Sequence, residues 1–375
     1  MNPLAVLTFA VSTAYLPGVV TATQAGRWAV LTAALFLLLR RGHDAIGPAH
    51  VMLLALLAWC ALGLVWTITP WDTAGEWREL ALFAGVFFLA TRERDLVPFW
   101  KALALGIAAS LPFAAAQALG YQPVENIAVG LRPVGLFLSG NVVNEVCAVA
   151  LVGCVLNRLW LYAVAPVSLL AANPSREGAF ALLAGGGVWL WLLAGRNDRI
   201  LLAALGGLAA TCAVASGTLL DGYSVLHLGD RLEIWAVAVQ NTTLLGRGLG
   251  SFSALFDGWT AIAGHPLNGY EFAHDEPAQY LFELGIGAPL LLGVVAYAFY
   301  WRNVDYVPEV AAFAAWFACA LVWFPLHEPV AGFIGAALVG HLCGAHDRSR
   351  RGAALRRARS VPRTFDERAR AAGAV

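Results

Sequence analysis

His274 stands where a polar stretch of the chain meets an apolar one, and imidazole is the side chain that most readily accepts a proton near neutral pH. A lone histidine at such a boundary also has a plainer reading, as an interfacial group, so its neighbours decide. Asp275 and Glu276 follow directly and raise the question of a metal, but three consecutive residues at a helix start point in different directions. The ligand spacings of zinc and calcium sites are not met, so no metal and no cofactor is expected. Upstream in the same polar stretch, Arg231 and Trp235 lie at i and i+4, on one face of a helix. Gly246-Arg247-Gly248-Leu249-Gly250 resembles a phosphate cradle, yet it follows no strand and lacks the Lys-Ser/Thr ending of a P-loop. Its alternative is a tight turn where a helix meets a membrane.

The elements that must position these residues are apolar. The chain of 375 residues is 59% hydrophobic and 13% charged, with mean hydropathy +0.68, where a soluble domain carries about 25% charged residues. Its apolar blocks are long enough to cross a hydrocarbon layer, and backbone groups in lipid must be satisfied within the segment, which predicts helices. The alternating pattern of a membrane β-barrel is missing. The expected fold is all-α, a polytopic transmembrane bundle of about twelve spans. The spans are placed at 4–20, 28–39, 49–67, 79–91, 99–119, 141–156, 158–172, 177–194, 199–217, 277–300, 308–325 and 329–345. A large, partly helical loop at 218–276 separates the ninth and tenth spans, and a second polar stretch covers 120–140. The membrane-embedded domain is 1–345, and 346–375 is a basic tail, solvated or weakly helical. The start of the chain has no basic segment or cleavage site and is read as the first helix. The six cysteines fall in or beside apolar blocks and suggest no disulfide framework.

Lys and Arg accumulate in loops that stay in the cytoplasm. With both termini cytoplasmic, that side takes eighteen of the 24 basic residues: Arg40, Arg41, Arg92, Arg94, Lys101, Arg158, Arg196, Arg199, Arg302 and nine arginines of the tail. Arg27, Arg78, Arg132, Arg176, Arg231 and Arg247 fall outside. Any of these taken singly reads as a side chain snorkelling to the interface. Together they suggest an anionic ligand on the outer face, since guanidinium groups pair bidentately with phosphate oxygens. Glu145, near the start of the sixth span, is a partner for an arginine, and His227, His265 and His327 are given structural roles.

In order and spacing these segments resemble the O-antigen ligase and O-antigen polymerase superfamily of membrane glycosyltransferases. His274, Gln279, Glu283, Leu284 and Gly285 are in register with its His-Asn-x-x-Leu-Gln helix that ends in Glu-Leu-Gly. Arg231 to Trp235 is similar to an Arg-x-x-x-Trp segment, and Gly246 to Phe252 to Gly-x-Gly-x-Gly-x-Phe. Gly140-Asn141 with Asn144 is similar to a Gly-Asn-x-x-Asn helix start, Ser175-Arg176-Glu177-Gly178-Ala179 to Ser-Arg-Gly-Ala with one residue inserted, and Phe324-Pro325-Leu326 with Pro329 to a Phe-Pro-Leu-x-x-Pro turn. The resemblance runs from about residue 135 to 340. Asp275 replaces the usual Asn, Pro277-Ala278 replaces an aromatic-leucine pair so that the helix is expected to start later, and Arg247 replaces an apolar residue.

The resemblance implies transfer of a glycan from undecaprenyl diphosphate to an acceptor hydroxyl, lipid A-core or a growing glycan, on the periplasmic face of a bacterial inner membrane. His274 would be the base, with Arg176, Arg231, Arg247 and, more weakly, Arg78 on the diphosphate. Trp235, Asn141, Gln279 and Glu283 would be supporting. A ligase is the first reading and a polymerase of the same superfamily the second. A transporter or lipid-carrier flippase is a rival of another class, disfavoured because the span centres are almost uncharged and no two-fold repeat is evident.

Overall fold

The computed structural model describes residues 2–15, 22–40, 46–123, 133–137, 139–195, 198–199, 231–262, 272–299 and 306–360. Among these residues every regular element is a helix. In chain order they are α1 (Pro3–Thr13), α2 (Ala22–Arg40), α3 (Pro48–Gly63), α4 (Pro70–Ala90), α5 (Val97–Ala118), α6 (Gly140–Leu156), α7 (Trp160–Ala172), α8 (Arg176–Leu193), α9 (Arg231–Gln240), α10 (Phe252–Ile262), α11 (Glu276–Leu284), α12 (Ala288–Phe299), α13 (Val307–Ala320) and α14 (Pro329–Ser360). Three stretches are long and apolar enough to cross a membrane: Val97–Ala118, Glu276–Phe299 and Pro329–Gly352. Seven shorter apolar helices pack around them.

Helix starts follow local chemistry. Ser139 and Ser175 cap α6 and α8 by accepting from the N–H groups of Val142 and Gly178. Prolines at the first or second position open α1, α3, α4, α5, α11 and α13, where a missing N–H costs nothing. The boundaries depart from the hydropathy reading in several places. Helix α4 begins at Pro70, well before the apolar run that starts near 79, because its first turns carry a polar face. The stretch expected as one span at 277–300 is long and apolar enough to cross, Glu276–Phe299, and carries a 3-10 turn inside it, Gly285–Gly287, where Gly285 has φ 54°. Its start is not delayed by Pro277, since Asp275 caps the helix immediately before Glu276. Helix α14 runs unbroken through the 345–346 boundary to Ser360, so the basic tail begins as helix. The ninth span, Arg132, His227 and His265 lie outside the described residues.

The bundle has two chemically distinct ends. At one, α4, α6, α8, α11 and α14 all begin. At the other, Asn2 donates to Glu93 Oε2 (2.8 Å), and Arg348 donates to the carbonyls of Thr91 (2.6 Å) and Glu93 (3.0 Å). There too Tyr297 donates to Asp347 (2.6 Å), and Asp347 approaches His50 at 4.0 Å. Arg92, Arg94, Lys101 and Arg158 belong to this second end. Arg27 is an exception to the anion-ligand expectation. It is fully buried, donating to the carbonyls of Val11 and Leu136 with its guanidinium 5.3 Å from the Phe137 ring, and it stitches α1 and α2 to the segment before α6.

Helices α4 and α14 run side by side, and a Cβ on Gly344 would stand 2.0 Å from the Thr91 carbonyl oxygen. Neither backbone can yield cheaply there. Gly344→Val should lower stability by about 1–3 kcal/mol through overpacking. Gly186, in α8 with open space around its Cβ position, is the control, and Gly186→Ala should stabilise by about 0.5–1 kcal/mol. Thermal unfolding midpoints in detergent check both signs.

Candidate functional site

The end where five helices begin is tied together by a histidine. His327, in the 3-10 turn Pro325–His327 between α13 and α14, is buried, with Nδ1 3.4 Å from Glu276 Oε1 and Nε2 3.7 Å from Glu76 Oε2. Gln279 Nε2 lies 3.2 Å from the same Nε2, and Glu276 Oε1 also accepts from the Leu326 N–H (2.7 Å). Burial opposes a charged imidazole, but Glu276 and Glu76, joined by Glu283, outweigh it and push the pKa up to about 10. The residue is an imidazolium at neutral pH. The structural role expected of His327 therefore understates it: it is the counter-charge that joins α4, α11 and the α13–α14 turn. No local pattern in the sequence marked it, because its partners Glu76 and Glu276 lie far along the chain.

The glycine-rich segment turns over the end of α11. Gly246 takes φ 76° and a Cβ there would lie 2.2 Å from the Glu283 carbonyl oxygen; Gly248 and Gly250 share the left-handed backbone. The N–H groups of Arg247 and Gly248 donate to the carbonyls of Phe282 and Glu283 (3.1 and 3.0 Å), and Ile286 N–H donates to Leu244 (2.9 Å). The Phe252 N–H donates to Glu283 Oε1 (3.2 Å). A phosphate cradle needs these donors for its ligand. Here they satisfy helix carbonyls and a carboxylate, so the tight-turn alternative holds.

His274 lies on the other side of an aromatic wall. Its ring packs on Trp323 (4.9 Å between centroids) and Phe324 (5.3 Å), while Phe272 packs on Phe324 (4.2 Å) and His327 (4.6 Å). The His274 backbone adopts φ 54°, a left-handed conformation that costs a side-chain-bearing residue on the order of 1–3 kcal/mol. Both flanks hold it there. Trp235 Nε1 donates to the Ala273 carbonyl (2.9 Å), the Ala273 N–H donates to Gln279 Oε1 (3.0 Å), and Asp275 accepts from the Ala278 N–H (2.6 Å). Asp275 is thus the helix cap, a task that an Asn would also perform. Burial first, and then the nearby Arg231 guanidinium, lower the His274 pKa to about 4, with Glu177 acting in the opposite sense. At neutral pH the ring is a neutral base beside a cation.

Arg231, at the start of α9, faces Glu177 at the start of α8 with Nη2–Oε1 3.7 Å. Arg176 is the neighbouring first residue of α8, so it shares that end of the site by backbone position. Gly178 packs on Asn144 across the α6–α8 contact, where a Cβ would stand 3.1 Å from Asn144 Oδ1, and Asn141 lies one turn before Asn144. Arg247 is not with them. It follows α9 at the far end, its Nε donating to Asn241 (3.2 Å), and the ten residues of α9 put it about 15 Å from Arg231 along the axis. Arg78 is largely exposed on α4 and pairs with Glu79 at 3.3 Å. The expected four-arginine set is therefore dispersed, with Arg231 beside His274, Arg176 at the start of α8 by backbone position, and Arg247 and Arg78 elsewhere. Gln279 and Glu283 belong to the His327 network; Gln279 donates to Glu283 Oε1 (3.3 Å). Glu145, Glu283 and Glu309 are buried, each toward the end of its expected span rather than at the centre.

No protein-family model matches the chain, and no curated protein matches it either.

His327 carries a sign-determined pH effect. A pKa raised from 6.5 to about 10 gives stability that is fully present below about pH 6.5 and lost as pH rises through 10. Thermal midpoints of the wild type should fall between pH 7 and 10, and His327→Gln, which removes the titrating group, should start lower and fall less over that range. Equal slopes for the two proteins would rule out the imidazolium joint.

Proposed function

We propose that this chain is a polytopic membrane glycosyltransferase of about twelve spans that moves a glycan from a polyprenyl diphosphate to an acceptor hydroxyl. The working end is the one where α4, α6, α8, α11 and α14 begin, placed on the periplasmic face of a bacterial inner membrane with both termini cytoplasmic. The observation that carries the reading is the pairing of a strained, neutral His274 with the Arg231–Glu177 pair. The base and the phosphate-binding cation that such a transfer needs stand side by side.

In the reaction the acceptor oxygen forms a bond to the anomeric carbon and the bond from that carbon to the diphosphate oxygen breaks. The hydroxyl proton passes to His274 and the diphosphate leaves as an anion, stabilised by Arg231 with Arg176. Attack opposite the leaving group inverts the anomeric centre. An apolar cavity of about 300 Å³ lies beneath, lined by Leu80, Phe83, Leu281, Leu292 and Trp316, and reaches Glu276 and Pro277 at the start of α11. It is suited to a polyprenyl chain whose diphosphate sits near His274. Transfer to lipid A-core, a ligase activity, is the favoured acceptor chemistry, since the segments shared with the superfamily match its ligases best.

The low proton affinity of His274 gives the site an order of events. Without substrate, burial and Arg231 hold the ring unprotonated but weakly basic. A bound diphosphate neutralises Arg231 and so strengthens the base only once the donor is in place. The acid limb of kcat/KM should therefore lie near pH 4 and that of kcat higher. Arg231→Gln should shift the kcat/KM limb upward. Coincident limbs in both proteins would refute this coupling. His274→Ala should lower transfer by about 10²–10⁴-fold at equal protein level. In cells, deletion of the gene should leave free polymer with no long chains attached; a single-repeat band would make the enzyme a polymerase, and an unchanged pattern would reject both.

A further inference from the structure

A second cavity, of about 370 Å³, opens between the first turns of α4 and the face of α11, on the side of the Phe272–Phe324 wall away from His274. Four carboxylates line it, Asp72, Glu76, Glu79 and Glu283, together with two aromatic rings, Trp71 and Phe272. Among the described residues that line it there is no lysine or arginine. Two of the acids have cations at their backs: Glu76 meets His327 at 3.7 Å, and Glu79 meets Arg78 at 3.3 Å. Glu283 is different. It is 1% exposed, and while Oε1 accepts from Phe252 N–H and Gln279, its Oε2 has no hydrogen-bond partner. A buried carboxylate oxygen without a donor costs free energy that a bound donor would recover. Trp71 is 88% exposed at the mouth, an aromatic face with nothing packed over most of it.

Carboxylates and open aromatic faces together favour a cation that is also a hydrogen-bond donor, through charge-assisted hydrogen bonds and cation–π contact. An anionic ligand would meet four carboxylates and no lining cation. We propose that this cavity binds a primary ammonium group, carried by an amino sugar or by an ethanolamine headgroup. The site is separate from His274 and from the anion chemistry beside it, so it stands or falls independently of the transfer reaction.

Titration calorimetry on the purified full chain in detergent tests it with three probes: glucosamine, N-acetylglucosamine and ethanolamine. Glucosamine should bind at least about tenfold more tightly than N-acetylglucosamine, which keeps the ring and lacks the charge. Asp72→Asn, an exposed change that leaves the core intact, should weaken glucosamine by about fivefold or more, and Glu283→Gln by more again. Ethanolamine binding as tightly as glucosamine assigns the ammonium to a lipid headgroup, and weaker binding assigns it to an amino sugar. Equal binding of glucosamine and N-acetylglucosamine, no saturable binding of either amine, or an unchanged affinity in Asp72→Asn would overturn the proposal. Loss of transfer in His274→Ala with ammonium binding intact would separate the two sites.

Discussion

An imidazolium buried among carboxylates holds one end of the bundle together. His327 reaches Glu276 on α11 and Glu76 on α4 from a turn that joins α13 to α14, so four helices meet through one side chain. Removing one partner from a buried charge group costs about 3–5 kcal/mol, because the remaining charges are left uncompensated. The network therefore fixes geometry more than it adds net stability. With Glu276 held by His327 and by the Leu326 N–H, the start of α11 has one position. Asp275 caps that start, and His274 is placed by the residues on either side of it.

Helix α11 transmits this constraint across the aromatic wall. Its residues Glu276, Gln279 and Glu283 lie at i, i+3 and i+7, a polar stripe on an otherwise apolar helix. Gln279 connects the two faces of the site directly. Its Nε2 donates to Glu283 Oε1 and lies beside the His327 ring, while its Oε1 accepts from Ala273 N–H, the residue before His274. The conformation of His274 thus depends on a network whose centre is on the other side of Phe272 and Phe324.

Hydropathy made the helical class legible, and the small capping residues Ser139, Ser175 and Asp275 stand where the helices begin. The sequence reading also joined His274 to Arg231 and Trp235, which the structure brings together through Ala273 and Glu177. It misjudged features whose meaning depends on partners far along the chain. Arg27 looks like an outer arginine until Val11, Leu136 and Phe137 are seen around it. Arg231 and Arg247 looked like one anion site because sixteen residues of loop can fold back, but a ten-residue helix between them holds them apart. The glycine pattern showed that left-handed backbone was needed without showing what would accept its N–H groups. His327 carried no local signal at all, since its role comes from carboxylates about fifty and two hundred and fifty residues away in the chain.

The number of acids at this end poses a physical question that the helix directions answer. Asp72, Glu177, Asp275, Glu276 and Glu328 each lie at or just before the first turn of a helix, where unsatisfied N–H groups and the macrodipole favour negative charge. Five helices beginning together supply that field without further lysines or arginines. Glu283 is the exception, since it occupies the last turn of α11, where the dipole opposes a carboxylate. The glycine-rich turn corrects this. It delivers the N–H group of Phe252 to Glu283 Oε1 and those of Arg247 and Gly248 to the last carbonyls of the helix, so that one segment serves both while Glu283 Oε2 stays open. Such a turn requires backbone that glycine alone adopts freely at three alternate positions, which is why the pattern exists with no bound phosphate to explain it.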